Sequence, residues 1–298
     1  MNNLPKITKH LLIINVLFYL AALALQTRGV NLNDYLGLHF IYASDFMPYQ
    51  LLTYMFMHAS FTHLLFNMLA VFMFGRIIEM SWGAKRYLIY YLVCGVGAGV
   101  IQELAQLADY YATHMNQYDQ VNIGTEIISM DAYLNLWNTV GASGAVYGVL
   151  LAFGLCYPEE RMFVFPIPFP IKAKFFVMIY AVIELFLGLQ SGGDGVAHFA
   201  HLGGMLVGFL LIVYWSSKSS FFSSGYVGKI RAMFTRKKSE KKPKMTVNYA
   251  GFDPDKQYNA RRKEDQDEVD RILDKLKKSG YQSLTVDEKK KLFEASSK

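Results

Sequence analysis

The sequence predicts an all-α, polytopic membrane protein with six transmembrane helices and a small cytoplasmic helical tail, on three observations. Of its 298 residues, 53% are hydrophobic and 18% charged, and most of the charges fall after Lys218. The preceding chain is therefore far more apolar than a soluble domain. Apolar segments recur near 11–27, 58–80, 87–107, 140–157, 173–190 and 198–215, and a bilayer core takes about 20 apolar residues per helix. Basic residues keep to alternate connections: Lys6 and Lys9, then Lys85 and Arg86, then Arg161, Lys172 and Lys174, then the tail.

The first segment follows two lysines in the manner of a leader, but no small-residue cleavage site follows it and further spans do, so it reads as a retained helix. Basic residues prefer the cytoplasmic side, which puts both termini inside. The loops 28–57, 108–139 and 191–197 then face outward. The loop at 108–139 is long for a compact domain, and its Tyr110, Tyr111, Tyr118, Tyr133 and Trp137 favour the membrane interface.

The net charge of +6 follows from this bias and the tail. It gives no reason to infer nucleic-acid binding, and a basic tail beside a membrane reads the anionic lipid surface. Cys94 and Cys156 lie inside apolar segments without motif spacing and read as packing residues.

After the six-span region, 1–217, comes a basic cytoplasmic linker, 218–260, and then a helical hairpin, 261–298. In the hairpin Val269, Ile272, Leu273 and Leu276 share one helical face before Gly280. Thr285-Val-Asp-Glu288 then forms a capping box for a second helix, whose apolar side is Leu292 with Phe293.

Polar groups inside spans are costly and turn toward the bundle interior, and here they cluster at the outer ends of three spans. Span four opens Gly141-Ala-Ser143-Gly144 and continues through Tyr147 and Gly148. Span six opens Ala197-His198-Phe-Ala-His201-Leu-Gly-Gly204 and continues to Gly208, and span two carries His58, His63 and Asn67. Gly144 with Gly148, and Gly204 with Gly208, are small-xxx-small pairs that let helices approach closely. Packing through them brings Ser143 to His201. A serine hydroxyl needs such a base to act as a nucleophile. His63, Asn67 and the backbone N–H of Ser143 are candidate donors to an oxyanion. No acidic residue completes a triad in an obvious place, so a Ser/His dyad is the economical reading. His201 leads the glycine row and is therefore chosen as base over His198, which is expected to hydrogen-bond the oxyanion region or the cap loop.

The combination Gly-x-Ser-Gly, Ala-His-x-x-His-x-Gly-Gly and His-x-x-x-x-His-x-x-x-Asn resembles the rhomboid intramembrane serine proteases over the whole six-span region. The resemblance implies Ser143 as nucleophile, His201 as base, and His63 with Asn67 beside the oxyanion. It implies that Tyr147 packs on the histidine and that span five with loop 191–197 forms the substrate gate and cap. It also implies transmembrane protein substrates, cut after a small residue; under the topology above, an inner-membrane location with the active site toward the outer face is expected. Where many members of that family carry Trp-Arg before the second span, this chain has Tyr49-Gln50, which bears on how the first outer loop is anchored.

Other readings are weaker. His58 to His63 and His198 to His201 lack the i, i+4 spacing of paired metal ligands, so no metal or cofactor is expected. His10, His39 and His114 read as solvated, and Glu79 and Glu103 as structural. Glu184, in mid-span, is expected to face polar groups of span two or to be neutral. A transporter would show related halves or broken spans, which are not visible here. An inactive rhomboid-like membrane chaperone differs from the protease only in chemistry.

Overall fold

The computed structural model describes residues 4–163, 169–190, 196–218 and 254–296. The chain divides into two compact units, Met1–Arg236 and Lys237–Lys298. The described part of the first is mostly helical, and each of the six apolar segments contains a helix.

Helix α1 (Lys6–Gln26) buries only Thr8, Leu11 and Asn15, so most of its surface is available to lipid. Pro5 at its N-cap offers no side-chain acceptor. The Glu79 carboxylate takes over that role, accepting from Ile7 N–H at 2.9 Å, Thr8 N–H at 2.7 Å and Thr8 Oγ1–H at 2.7 Å. Orphan N–H groups at a helix start need such acceptors, which accounts for this buried acid structurally.

The first outer loop contains α2 (Leu32–Leu36), β1 (Leu38–His39) and α3 (Gln50–Thr53). The second transmembrane element runs from α4 (Phe61–Ala70) through a π turn, Val71–Gly75, into α5 (Arg76–Trp82). After Gly83 the chain reverses into α6 (Ala84–Ala112).

Residues 108–139 are more ordered than the expected loop. Helix α6 continues to Ala112, β2 (Gln120–Asn122) and β3 (Ile127–Ser129) form an antiparallel hairpin, and α7 (Met130–Asn135) follows. Strand β4 (Asn138–Thr139) pairs antiparallel with β1, tying the second outer loop to the first. His39 is buried here rather than solvated: its Nε2 lies 2.9 Å from the Asp34 carbonyl and its Nδ1 3.1 Å from that of Asn135. Both partners are backbone carbonyls of the short helices α2 and α7, which residue spacing does not bring together.

Helix α8 (Ser143–Cys156) is followed by a β5–β6 ladder, Arg161–Met162 with Ile171–Lys172, and by α9 (Ala173–Leu189) and α10 (His198–Lys218). In the connection Lys172 and Lys174 both pair with Glu159, and their hydrogen bonds hold its carboxyl down at about 2.

Four helical stretches are long and apolar enough to cross a membrane: Lys6–Gln26, Phe61–Trp82, Ala84–Ala112 and His198–Ser216. Helix α8 has 14 residues and α9 has 17, which at a rise of about 1.5 Å per residue fall short of a core about 30 Å thick. Helix α8 is the most enclosed, packed between α6 and α10 at distances that only small residues allow. A methyl on Gly204 would lie 1.9 Å from the Gly144 carbonyl oxygen, and one on Gly144 would lie 2.4 Å from Ala98 Cβ. Cys94, a free buried thiol, fills the space beside Gly148 and Gly208. The Tyr90 hydroxyl donates across this seam to the Gly148 carbonyl at 2.8 Å.

The second unit contains α11 (Pro254–Ser279) and α12 (Val286–Ser296). Helical structure thus begins at Pro254, inside the stretch expected as linker; residues 219–253 lie outside the described part. The capping box forms: Thr285 N–H donates to Glu288 Oε2 at 2.8 Å and Glu288 N–H to Thr285 Oγ1 at 3.3 Å. Ile272 and Leu284 are buried, whereas Phe293 is 75% exposed.

Candidate active site

Ser143 is the first residue of α8, set there by Gly141 with φ of +130°. That conformation suits glycine, and a methyl on Gly141 would also meet the His63 ring at 2.7 Å. The Gly141 N–H donates to the Tyr54 carbonyl at 2.9 Å, which fixes the approach to the helix. At the start of α8 the first backbone N–H groups, that of Ser143 included, have no acceptor within the helix.

His201 lies one turn inside α10. Its Nε2 is 2.8 Å from Ser143 Oγ, and its Nδ1 is 2.9 Å from Glu184 Oε2. The Tyr147 ring stacks on the imidazole, with centroids 4.2 Å apart and planes 7° from parallel. His198 directs its Nδ1 to the same Glu184 oxygen, at 2.6 Å, while the Tyr147 hydroxyl donates to Glu184 Oε1. Glu184 therefore faces α8 and α10, not the second span. Sequence spacing could not find this, because the phase of α9 against two neighbouring helices is a packing result.

His63 and Asn67 line the same cavity as Ser143 and His201, from the α4 side. One N–H of Asn67 donates to the His63 carbonyl at 3.0 Å; a primary amide has a second. His58 is buried with its ring 5.1 Å from that of His63, edge to face. The cavity, of about 1360 Å³, is lined by Phe66 and Met73 of the second transmembrane element and by Phe176 and Tyr180 of α9. Of the expected cap, residues 191–195 lie outside the described part.

The site can present an unprotonated imidazole nitrogen to a serine hydroxyl inside a largely apolar cavity, with amide, imidazole and backbone donors close by. Glu184, His198 and His201 also bring three metal-ligand atoms within 4.8 Å of one another. The i, i+3 spacing of the two histidines does place them on one face, contrary to the argument from spacing, because three residues fall short of a full 3.6-residue turn by only about 60°. Each of these ligand atoms is already engaged by another side chain of the cluster.

The Rhomboid domain family matches residues 45–218. The chain belongs to the rhomboid family. With its long apolar helices, that makes it an integral membrane protein. The rhomboid protease AarA of Providencia stuartii is 30% identical over 165 residues, covering 53% of this chain and 53% of that protein. The putative rhomboid protease YdcA of Bacillus subtilis is 30% identical over 165 residues, covering 55% of this chain and 67% of the relative. RHOMBOID-like protein 2 of Arabidopsis thaliana is 29% identical over 170 residues, covering 55% and 41%. The chain thus spans about two fifths to two thirds of the length of these rhomboid relatives. Residues 253–298, outside the rhomboid match, correspond to a family of unknown function (DUF6576).

Tyr49-Gln50, the departure from the rhomboid Trp-Arg pair, has a local consequence. Gln50 is buried, and its Oε1 accepts from His39 N–H at 3.3 Å and Met47 N–H at 3.0 Å. Its Nε2 donates to the carbonyls of Tyr35 at 3.3 Å and Asp45 at 2.9 Å. One neutral amide thereby ties Tyr35 and His39 to Asp45 and Met47 within the first outer loop.

Proposed function

We propose that the protein is an intramembrane serine endopeptidase that hydrolyses peptide bonds in or near the transmembrane segments of other membrane proteins. The observation that carries this reading is the 2.8 Å contact between His201 Nε2 and Ser143 Oγ under the stacked ring of Tyr147. Ser143 Oγ attacks the scissile carbonyl as His201 takes its proton. The developing oxyanion faces the Ser143 N–H, Asn67 and His63, donors that strengthen as charge builds. His201 then protonates the leaving amine, and water releases the acyl group from Ser143.

The proposed frame is a six-span bundle, 1–217, in a bacterial inner membrane, followed by a cytoplasmic linker and hairpin. Both termini are cytoplasmic, and the site opens toward the outer face. The alternation of basic residues supports the orientation. The cavity walls from α4 and α9 support entry of a transmembrane substrate between them. An inactive rhomboid-like chaperone would keep this architecture but has no use for a base in contact with a serine.

The test is cleavage of a transmembrane reporter together with labelling by a fluorophosphonate. Ser143→Ala and His201→Ala should each abolish both while the protein remains folded and inserted, whereas His198→Ala keeps measurable turnover. Cleavage near the wild-type rate in Ser143→Ala overturns the protease reading at this site.

A further inference from the structure

We propose that Glu184 is the positioning residue for the base, extending the Ser143–His201 pair to a Ser–His–Glu arrangement. The inference rests on the protease reading above and adds a residue that the dyad does not include.

Glu184 is 6% exposed in the middle of an apolar helix. A carboxyl there is costly unless its oxygens are occupied. Both are: Oε1 accepts from Tyr147, and Oε2 meets the Nδ1 atoms of His198 and His201. An ionised carboxylate only accepts hydrogen bonds, so the proton on His201 sits at Nδ1. That leaves the lone pair of Nε2 facing Ser143 Oγ, which is the tautomer a general base requires. In the other tautomer Nε2–H would donate to the serine, and no base would be present.

The same contact acts when His201 takes the serine proton. The imidazolium then has a negative carboxylate 2.9 Å from its Nδ1, which stabilises the charge without the carboxylate itself taking the proton. Among the described residues, the ionisable and polar side chains that meet Glu184 are Tyr147 on α8 and His198 and His201 on α10. Tyr180 on its own helix packs against Tyr147, with ring centroids 6.4 Å apart. None of them brings a second carboxylate to compete for the Nδ1 proton. Tyr147 has two attachments, stacking on the imidazole and donating to the carboxylate, so α8, α9 and α10 each hold one side of the ring's position. The two histidines and the glutamate also have the composition of a cation site. Proton sharing nevertheless accounts for each of their facing atoms, so a metal is not required to hold the cluster together.

Glu184→Gln keeps the volume but allows the side-chain amide to donate to Nδ1, favouring the wrong tautomer. In the full-length protein we expect kcat on a transmembrane reporter to fall by about 100-fold to 10,000-fold. KM should stay within about twofold and the thermal unfolding midpoint should be little changed. ¹⁵N NMR of histidine-labelled protein should show His201 protonated at Nδ1 in the wild type and shifted toward Nε2–H in Glu184→Gln, which loss of packing alone does not produce. Wild-type kcat in Glu184→Gln, while Ser143→Ala and His201→Ala are inactive, overturns the positioning role and leaves the protease reading standing. Should the wild type itself prove inert, the protease reading falls, and the NMR comparison still decides whether Glu184 sets the tautomer. Activity that is lost on EDTA treatment and restored by zinc would assign the cluster to a metal and overturn the proposal; we expect no effect of the chelator.

Discussion

A methyl group at position 204 would meet backbone, not a side chain: the Gly144 carbonyl oxygen at 1.9 Å and its carbon at 2.7 Å. Backbone cannot rotate away, so α8 and α10 would have to separate, and the bond from His201 to Ser143 would lengthen with them. A displacement of about 1 Å at reacting groups costs about 100-fold in rate. Gly204→Ala is therefore expected to lose about that much reporter cleavage while remaining inserted. Gly95→Ala serves as the contrast, since its methyl would meet the end of the Met55 side chain, Cε at 2.0 Å, a flexible thioether that can move aside. Comparing the two cleavage rates in detergent checks the argument, and equal losses would show that packing in general, not the α8–α10 approach, is responsible. The glycine rows that carry this prediction were visible in the sequence, because small residues four apart specify a face that can come close. Glu184 was visible only as an anomaly: a charge in an apolar run identifies itself, but not the side chains that surround it.

At the scale of elements, apolar runs predicted where helices form, since burial in lipid or protein requires the same residue types along the whole segment. They predicted the outer loops poorly. Strands β1 and β4 are two residues each and pair across about 100 positions, and no periodicity can be read from so short a run. The Tyr49-Gln50 departure does not reveal from sequence what Gln50 does: it makes four hydrogen bonds to loop backbone. Gln50→Ala would leave two N–H groups and two carbonyls without this partner, at about 1–3 kcal/mol for each that stays dry. The expected outcome is a lower unfolding midpoint and faster proteolytic nicking within residues 28–57, with helix content unchanged. A midpoint equal to wild type would mean that water replaces the amide.

At the scale of the whole molecule, every proposed catalytic group lies in the unit Met1–Arg236, and the rhomboid match ends at residue 218. Ending the chain at Lys218 is therefore expected to leave reporter cleavage in detergent within a few fold of the full-length rate. A truncated protein that inserts and labels normally but does not cleave would give the hairpin unit a part in turnover. Within the first unit, the π turn at Val71–Gly75 fixes how the two ends of one transmembrane element relate. Asn67 and Glu79 are 12 positions apart, which in an unbroken α-helix would rotate them about 120° from one another. A π turn takes up one extra residue, winding the far end back by about 100° and bringing both polar side chains to the same azimuth. The element behaves as a shaft with a keyed joint: deleting the one extra residue from 71–75 would leave an unbroken helix with the two groups still aligned to about 20°, whereas deleting two would spin one end against the other by about a further 100°, releasing the N-terminal helix from its acid or turning the amide out of the cavity.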